Sequence, residues 1–410
     1  MNIILFDDEN RIKFLPLAFT RPVGNLRIGI LTINEKYEYL TKRSATVSYL
    51  TEEYLQSKFP LKSNDVNYLV NSRILPTEEF IDEIQRLTPG EKLIGNGEIL
   101  AACLTKDALP GSLSKISNNN KNNRLNFLNY KELSPKRCKY NYELIENIRS
   151  IFLKNRDALI QDFSLLTNDR KSQKISKTNT VIGDEDMIFI EKGAKVEASI
   201  FNTTSGPIYI GKDAEIMEGS IIRGPFAMNE HAVLKLGAKI YGPTTLGPYC
   251  KVGGEVNNVV FQGYSNKGHD GFLGNSVIGE WCNLGADTNS SNLKNNYSEV
   301  KVWDYEKESL TLSGLQFCGL IMGDHSKCGI NTMFNTGTTV GVSANIFGGD
   351  FPPKFIPSFT WGGAKGFTEF RFEKALEVAQ AVMKRRDIEL SNNEKAILQH
   401  IFNITQKYRH

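Results

Sequence analysis

The first apolar runs of the chain are short and lie among polar and helical stretches. Ile3-Ile4-Leu5-Phe6 reads as a buried strand, with Tyr68-Leu69-Val70 and Lys92-Leu93-Ile94 as two more. Residues 77–87 open on a threonine and place apolar side chains at 80, 81, 84 and 87, the spacing of an N-capped helix. Residues 142–163 also read as helical. Residues 117–126 hold no core-forming pattern and read as a polar loop, and 168–179 as a polar, mostly basic linker. Strands alternating with helices predict an α/β domain over 1–170.

Beyond the linker the period changes. Stepping by six from Ile210 meets Ile216, Ile222, Met228, Leu234, Ile240, Leu246 and Val252. The same step joins Ile190 to Val196, then Phe272, Ile278 and Leu284, and then Met322, Cys328, Phe334, Val340 and Ile346. A six-residue period is neither helical nor a simple alternation. It predicts a parallel β-helix of hexapeptide repeats over 171–366, left-handed in the usual form of that repeat, each short strand turning one anchor inward. The period breaks at 257–271, which is polar, and at 289–314, which reads as an excursion from the coil. From 367 the helical spacing returns in Phe372, Ala375, Leu376, Ala379, Val382 and Met383. Ser391 and Glu394 then form a capping box ahead of Ile397, Leu398, Ile401 and Phe402. Residues 367–410 are therefore expected to form a C-terminal helical extension.

Composition sharpens this division. Of 34 glycines, 28 fall between residues 181 and 366, and many directly follow an anchor, where a corner needs positive φ or close backbone approach. Lys+Arg 49 against Asp+Glu 46 leaves +3, which argues against nucleic acid or a membrane surface as partner. No apolar run is long enough to span a bilayer, and the run at residues 3–6 is too short for a signal-peptide core. The six cysteines form no CxxC pair, which suits free thiols and a cytoplasmic setting better than a zinc site.

Of the five histidines, His269 stands in a break of the repeat, in Asn266-Lys267-Gly268-His269-Asp270-Gly271-Phe272. A histidine on a rigid coil beside glycines suits a general base near neutral pH. With the block from Ser276 through Gly279, Asn283-Leu284-Gly285-Ala286 and Asn292, and with Met322–Asn331, it resembles the acetyltransferase half of the bifunctional N-acetylglucosamine-1-phosphate uridyltransferases. The archaeal type of sugar-1-phosphate nucleotidyltransferase/acetyltransferase is the nearest in pattern. The resemblance covers about residues 180–350. It implies that His269 takes a proton from a sugar amine attacking acetyl-CoA, that the backbone near Ala286 faces the oxyanion, and that Asn283 and Asn292 hold sugar or acyl group. It also implies Glu255 as a sugar-binding carboxylate, a small-molecule sugar phosphate or nucleotide sugar as substrate, and a homotrimer whose sites lie between subunits. Phe272 and Asn257 stand where that family has a tyrosine and a lysine, so the sugar is expected to differ. Lys251, Lys267 and Lys294 are the cations available to compensate.

The N-terminal stretch, Arg11 and then Phe14-Leu15-Pro16-Leu17-Ala18-Phe19-Thr20-Arg21-Pro22, resembles the opening of sugar nucleotidyltransferases. Their phosphate-cradling glycine loop is absent, and Asp7-Asp8-Glu9 stands there instead. The resemblance implies a divergent nucleotidyltransferase-like domain. If it is active, Asp7 and Asp8 would hold Mg²⁺, and Arg11 and Arg21 would meet the phosphates. Alternative readings are a sugar-1-phosphate nucleotidyltransferase (UTP or dTTP) whose β-helix only oligomerises it, and a non-catalytic sugar-nucleotide binding protein.

Overall fold

The computed structural model describes residues 1–109 and 133–409, so the polar stretch 117–126 lies outside the described residues. The chain divides into two compact units. One comprises Met1–Phe14, Thr20–Leu26 and Leu31–Asn147, and the other Leu15–Phe19, Arg27–Ile30 and Ile148–His410.

The first unit is built on a six-stranded mixed sheet. The run at residues 3–6 forms Asn2–Phe6, flanked in parallel by Thr46–Leu50 and Val66–Asn71. Glu98–Thr105, Glu91–Gly95 and Ser134–Arg137 continue the sheet in that order. Ile4, Phe6, Leu50, Leu69, Ala102 and Leu104 make one of its cores. The helix Glu78–Gln85 starts where its threonine predicts: the Thr77 hydroxyl accepts the Phe80 N–H at 3.2 Å, and Phe80, Ile81 and Ile84 are buried. Residues 142–163 are not one helix. Glu143–Leu144 pairs antiparallel with Ile74–Leu75, and helices run only over Ser150–Leu153 and Asn155–Thr167. A tertiary strand partner overrides local helical spacing there.

The second unit is a parallel β-solenoid with three faces. The first face begins with Ile188–Ile190, Ile208–Ile210, Phe226–Met228 and Thr244–Leu246. The second begins with Thr180–Ile182, Ile200–Asn202, Ile221–Arg223 and Lys239–Tyr241. The third runs Lys195–Val196, Glu215–Ile216, Val233–Leu234, Lys251–Val252, Asn266–Lys267, Asn283–Leu284, Lys327–Cys328 and Asn345–Ile346. The six-spaced anchors from Ile210 to Val252 all lie in its core, as do those from Met322 to Ile346. Burial of this column is what the period encodes: at about 25 cal/mol per Å² of apolar surface, each anchor stabilises the stack.

Two details depart from the sequence pattern. Phe272 is only half-buried and points outward, and Leu273 takes the core position. The strands Glu255–Gly263 and Phe272–Glu280 run without a break through a corner, so their inward residues (Val256 and Phe261, Leu273 and Ile278) are five apart rather than six. The glycines after the anchors do not supply positive φ. A Cβ on Gly211 would lie 2.5 Å from the Asn229 carbonyl carbon of the next coil, so the need there is close approach. Left-handed backbone falls instead on His231, Tyr249, Tyr264, Trp281 and His325, at the corner before the third face. Their rings stack in one column, with centroids 4.7, 5.2, 4.2 and 6.4 Å apart. That conformation costs an L-residue about 1–2 kcal/mol, which ring stacking helps to offset.

The excursion after the second break holds an antiparallel hairpin, Lys301–Asp304 with Ser309–Leu312. The C-terminal helices are Phe372–Lys384 and Asn392–Ile404, and the capping box is present, with Ser391 Oγ accepting the Glu394 N–H at 3.2 Å.

Candidate functional site

The third face and the helix Phe372–Lys384 border a cleft of about 670 Å³. Its floor is the third-face ladder: Lys251 and Asn266 are register partners, Asn266 and Asn283 follow, then Asn283 and Lys327. Outward positions of successive coils thus stack Lys, Asn, Asn and Lys one above another. His269 is exposed on the turn after Asn266–Lys267 and lines the cleft with Asn283, Gly285 and Ala286. The N–H groups flanking Ala286 are engaged between coils: Gly285 donates to the Cys328 carbonyl and Asp287 to the Asp270 carbonyl, each at 3.1 Å. Tyr264 and Trp281 of the stacked column also face the cleft, and Val378 and Val382 line its helix side.

Its electrostatics are one-sided. Lys235, Lys251, Lys327, Arg385 and Arg386 all line the cleft, and no described lining residue is a carboxylate. Burial pushes the Lys327 ammonium down to about 8, and its Nζ donates to the His325 carbonyl at 2.8 Å. Burial lowers Lys251 as well, followed by repulsion from Arg386, Lys235 and Arg385. Arg386 reaches Asn266 Oδ1 at 3.3 Å. Glu215 opposes the lowering at Lys251, but cations gathered in a cleft whose described lining holds no carboxylate are stabilised by a bound polyanion. Sequence reasoning singled out Lys251 here and missed Lys235, Lys327, Arg385 and Arg386. The Arg385-Arg386 doublet closing a helix was the legible signal.

Not every expected residue joins this cleft. Glu255, Asn257 and Phe272 sit on the second face: Glu255 opposes Phe272, and Asn257 opposes Gly274. Asn292 donates to Asn275 Oδ1 at 2.7 Å, and a Cβ on Gly274 would meet its Nδ2, which places it with that second group. His269 stands on the turn that joins the two faces. Lys294 is tied within the excursion, to Ser298 Oγ at 3.3 Å and to the Glu299 carbonyl. Lys267 points into the solenoid, away from any substrate surface, and is 1% exposed.

The N-terminal carboxylates are already engaged. Asp7 accepts from Thr51 Oγ1 at 2.6 Å, Ser72 Oγ at 2.7 Å and the Val23 N–H at 3.0 Å, with Arg11 Nε at 3.5 Å. Burial raises its pKa against the pull of Arg11 and of these hydrogen bonds. Asp8 accepts from Arg73 Nη2 at 2.5 Å and Nε at 2.8 Å, and Arg73 also meets Glu98. Arg21 is buried. Among the described residues no group of three or more His, Cys, Asp or Glu is arranged to hold a metal ion. The expected Mg²⁺ pair therefore does not fit: hydroxyl, amide and guanidinium donors occupy the lone pairs a metal would need.

Residues 3–171 match the sugar nucleotidyl transferase family. The chain is 29% identical over 168 residues to a bifunctional sugar-1-phosphate nucleotidylyltransferase/acetyltransferase from Sulfurisphaera tokodaii, covering 40% of this chain and 41% of that protein. It is 38% identical over 73 residues to the bifunctional protein GlmU of Methanocaldococcus jannaschii, covering 18% and 17%. It is 24% identical over 149 residues to an uncharacterized acetyltransferase of Escherichia coli K12, covering 36% and 64%. The alignments thus span less than half the length of the first two relatives. No helix among the described residues is long and apolar enough to cross a membrane. The chain combines a segment matching the sugar nucleotidyl transferase family with a parallel β-solenoid and C-terminal helices, and it is similar to the bifunctional sugar-1-phosphate nucleotidylyltransferase/acetyltransferases.

Proposed function

We propose that the protein is an acyl-CoA-dependent N-acetyltransferase acting on an amino-sugar phosphate or nucleotide sugar, with His269 as general base. One observation carries this reading: an exposed histidine lines the same cleft as Asn283, Ala286 and five cations, with no carboxylate among the described lining residues. Acetyl-CoA and a sugar phosphate are both polyanions, and such a cleft suits either. His269 would take the proton as the amine nitrogen bonds to the thioester carbonyl. The C–S bond then breaks, and the leaving thiolate takes a proton. Asn283 and the backbone near Ala286 would face the oxyanion or the acyl group. Similarity to relatives named as acetyltransferases supports the class.

In this reading Glu255, Asn257, Phe272 and Asn292 meet the sugar across the corner that carries His269. The sites form between subunits of a trimer. Exposed apolar side chains on the second face support association, with Ile200 at 37%, Ile221 at 50% and Met333 at 37% exposure. His269→Ala should cut acetyl transfer by about 10²–10⁴-fold with the melting midpoint unchanged, read as free thiol released from acetyl-CoA over a panel of amino-sugar phosphates. Undiminished turnover in that variant refutes the assignment.

A second reading, sugar-1-phosphate nucleotidyl transfer by the first unit, is favoured by the family match over residues 3–171. It predicts Mg²⁺-dependent pyrophosphate release from UTP or dTTP. Metal binding there has to come from groups other than Asp7 and Asp8, which are tied to neighbouring donors.

A further inference from the structure

The inward column of the third face is Val196, Ile216, Leu234, Val252, Lys267, Leu284, Cys328 and Ile346, followed through successive coils. Every member is apolar or a thiol except Lys267, whose neighbour in register is Val252. A lysine at such a position is costly, because its charge leaves water for a hydrocarbon interior. An aliphatic residue or Met would fill the same space.

The lysine has a specific use for its three N–H groups. Nζ donates to the Gly253 carbonyl at 3.1 Å, the His269 carbonyl at 2.9 Å and the Asp270 carbonyl at 3.3 Å. Two of these carbonyls belong to the turn that carries His269. Nζ is the side-chain donor that meets both of these oxygens, and carbonyls turned toward a packed interior need such a partner. The coil below is shaped to admit this arrangement. A Cβ on Gly254 would lie 2.8 Å from Lys267 Nζ and 2.8 Å from the Gly271 carbonyl oxygen, and one on Gly253 would lie 2.9 Å from the Gly268 carbonyl oxygen. The paired glycines and the buried ammonium together hold residues 268–271 down against the preceding turn. Burial pushes the ammonium down to about 8, with Asp270, Asp287 and Cys328 acting the other way.

We propose that Lys267 is a positioning residue, whose ammonium clamps the backbone of the 268–271 turn from inside the solenoid so that the His269 imidazole is presented to the cationic cleft. This rests on the reading of His269 as the base. The clamp itself is a statement about backbone order and can be tested apart from activity.

The test compares Lys267→Met with the wild type, both as full chains, in three measurements. Amide hydrogen exchange at Gly253, Glu255 and Asp287, whose N–H groups bond the carbonyls of Lys267, Gly271 and Asp270, should accelerate by about tenfold or more, while exchange at Tyr249 and His325 stays unchanged. The kcat for acetyl transfer should fall by about ten- to a hundredfold with KM for acetyl-CoA within about twofold, because the base is displaced and the cleft is not. The melting midpoint should fall by only a few degrees, since the relief of a buried charge offsets part of the cost of leaving three carbonyls without their donor. Gly254→Ala, which keeps the lysine and crowds the turn, should give the same split between kcat and KM. Unchanged exchange and unchanged kcat in Lys267→Met overturn the proposal. So does a Lys267→Met chain that fails to fold, because the lysine would then serve the whole solenoid and not the turn. If His269→Ala retains full activity, the reading of His269 as base fails, while accelerated exchange in Lys267→Met would still establish the clamp. If His269→Ala is inactive and Lys267→Met is fully active, only the positioning role fails.

Discussion

Proton linkage at the cationic cleft gives a quantitative expectation. Burial holds Lys327 at about 8 in the free protein, in a cleft that Lys235, Lys251, Arg385 and Arg386 also line and that has no carboxylate among its described lining residues. A polyanion entering the cleft supplies the missing counter-charge and returns that lysine toward its ordinary value near 10.4. The bound state then holds a proton that the free state loses above pH 8. The sign follows: affinity is highest below pH 8 and falls as pH rises through it. At pH 9 a group of pKa about 8 is only about a tenth protonated. The dissociation constant for acetyl-CoA should therefore be about tenfold weaker at pH 9 than at pH 7, a loss of about 1.4 kcal/mol. Acetyl-CoA suits the measurement because its phosphates are already ionised above pH 7. Calorimetric titration at pH 8 in two buffers of different ionisation enthalpy should show uptake of about half a proton. Lys267 is also held near 8 but faces the solenoid interior, so Lys327→Met isolates the cleft lysine. That variant should bind more weakly at pH 7 and show a much flatter dependence. Zero proton uptake, or an unaltered slope in Lys327→Met, refutes the argument.

Two further predictions concern the scaffold. Gly211→Ala places a Cβ 2.5 Å from the Asn229 carbonyl carbon, a backbone atom that cannot rotate away, so it should destabilise the solenoid by about 1–3 kcal/mol, seen as a lower thermal midpoint. An unchanged midpoint would mean that the coils separate freely. Arg73→Ala leaves the Asp8 carboxylate, whose side chain is 7% exposed, without its main partner, and should cost the first unit about 3–5 kcal/mol in a urea titration at pH 7. A loss below about 1 kcal/mol would show that Asn71 and Asn10 satisfy that carboxylate unaided.

The sequence by itself determined the solenoid. A column that buries one residue per face needs an apolar side chain every six positions, and that requirement is written directly in the chain from Ile210 to Val252. The Thr77 cap and the Ser391 box were legible for the same reason, since a capping bond joins residues three apart. The tertiary structure decided what depends on phase and on distant neighbours. It moved the anchor from Phe272 to Leu273 by carrying a strand through a corner. It turned Lys267 inward, although a lysine in a polar stretch reads as a surface cation. It set Asn283 beside Lys327, 44 residues apart across the excursion at 289–314, and brought Arg385 and Arg386 to the same cleft. It also joined Asp8 to Arg73, so that two carboxylates suited to a metal became the partners of hydroxyl, amide and guanidinium donors. Local period reports which residues are buried. Which charges meet is set by how successive coils stack, and no short window of sequence carries that.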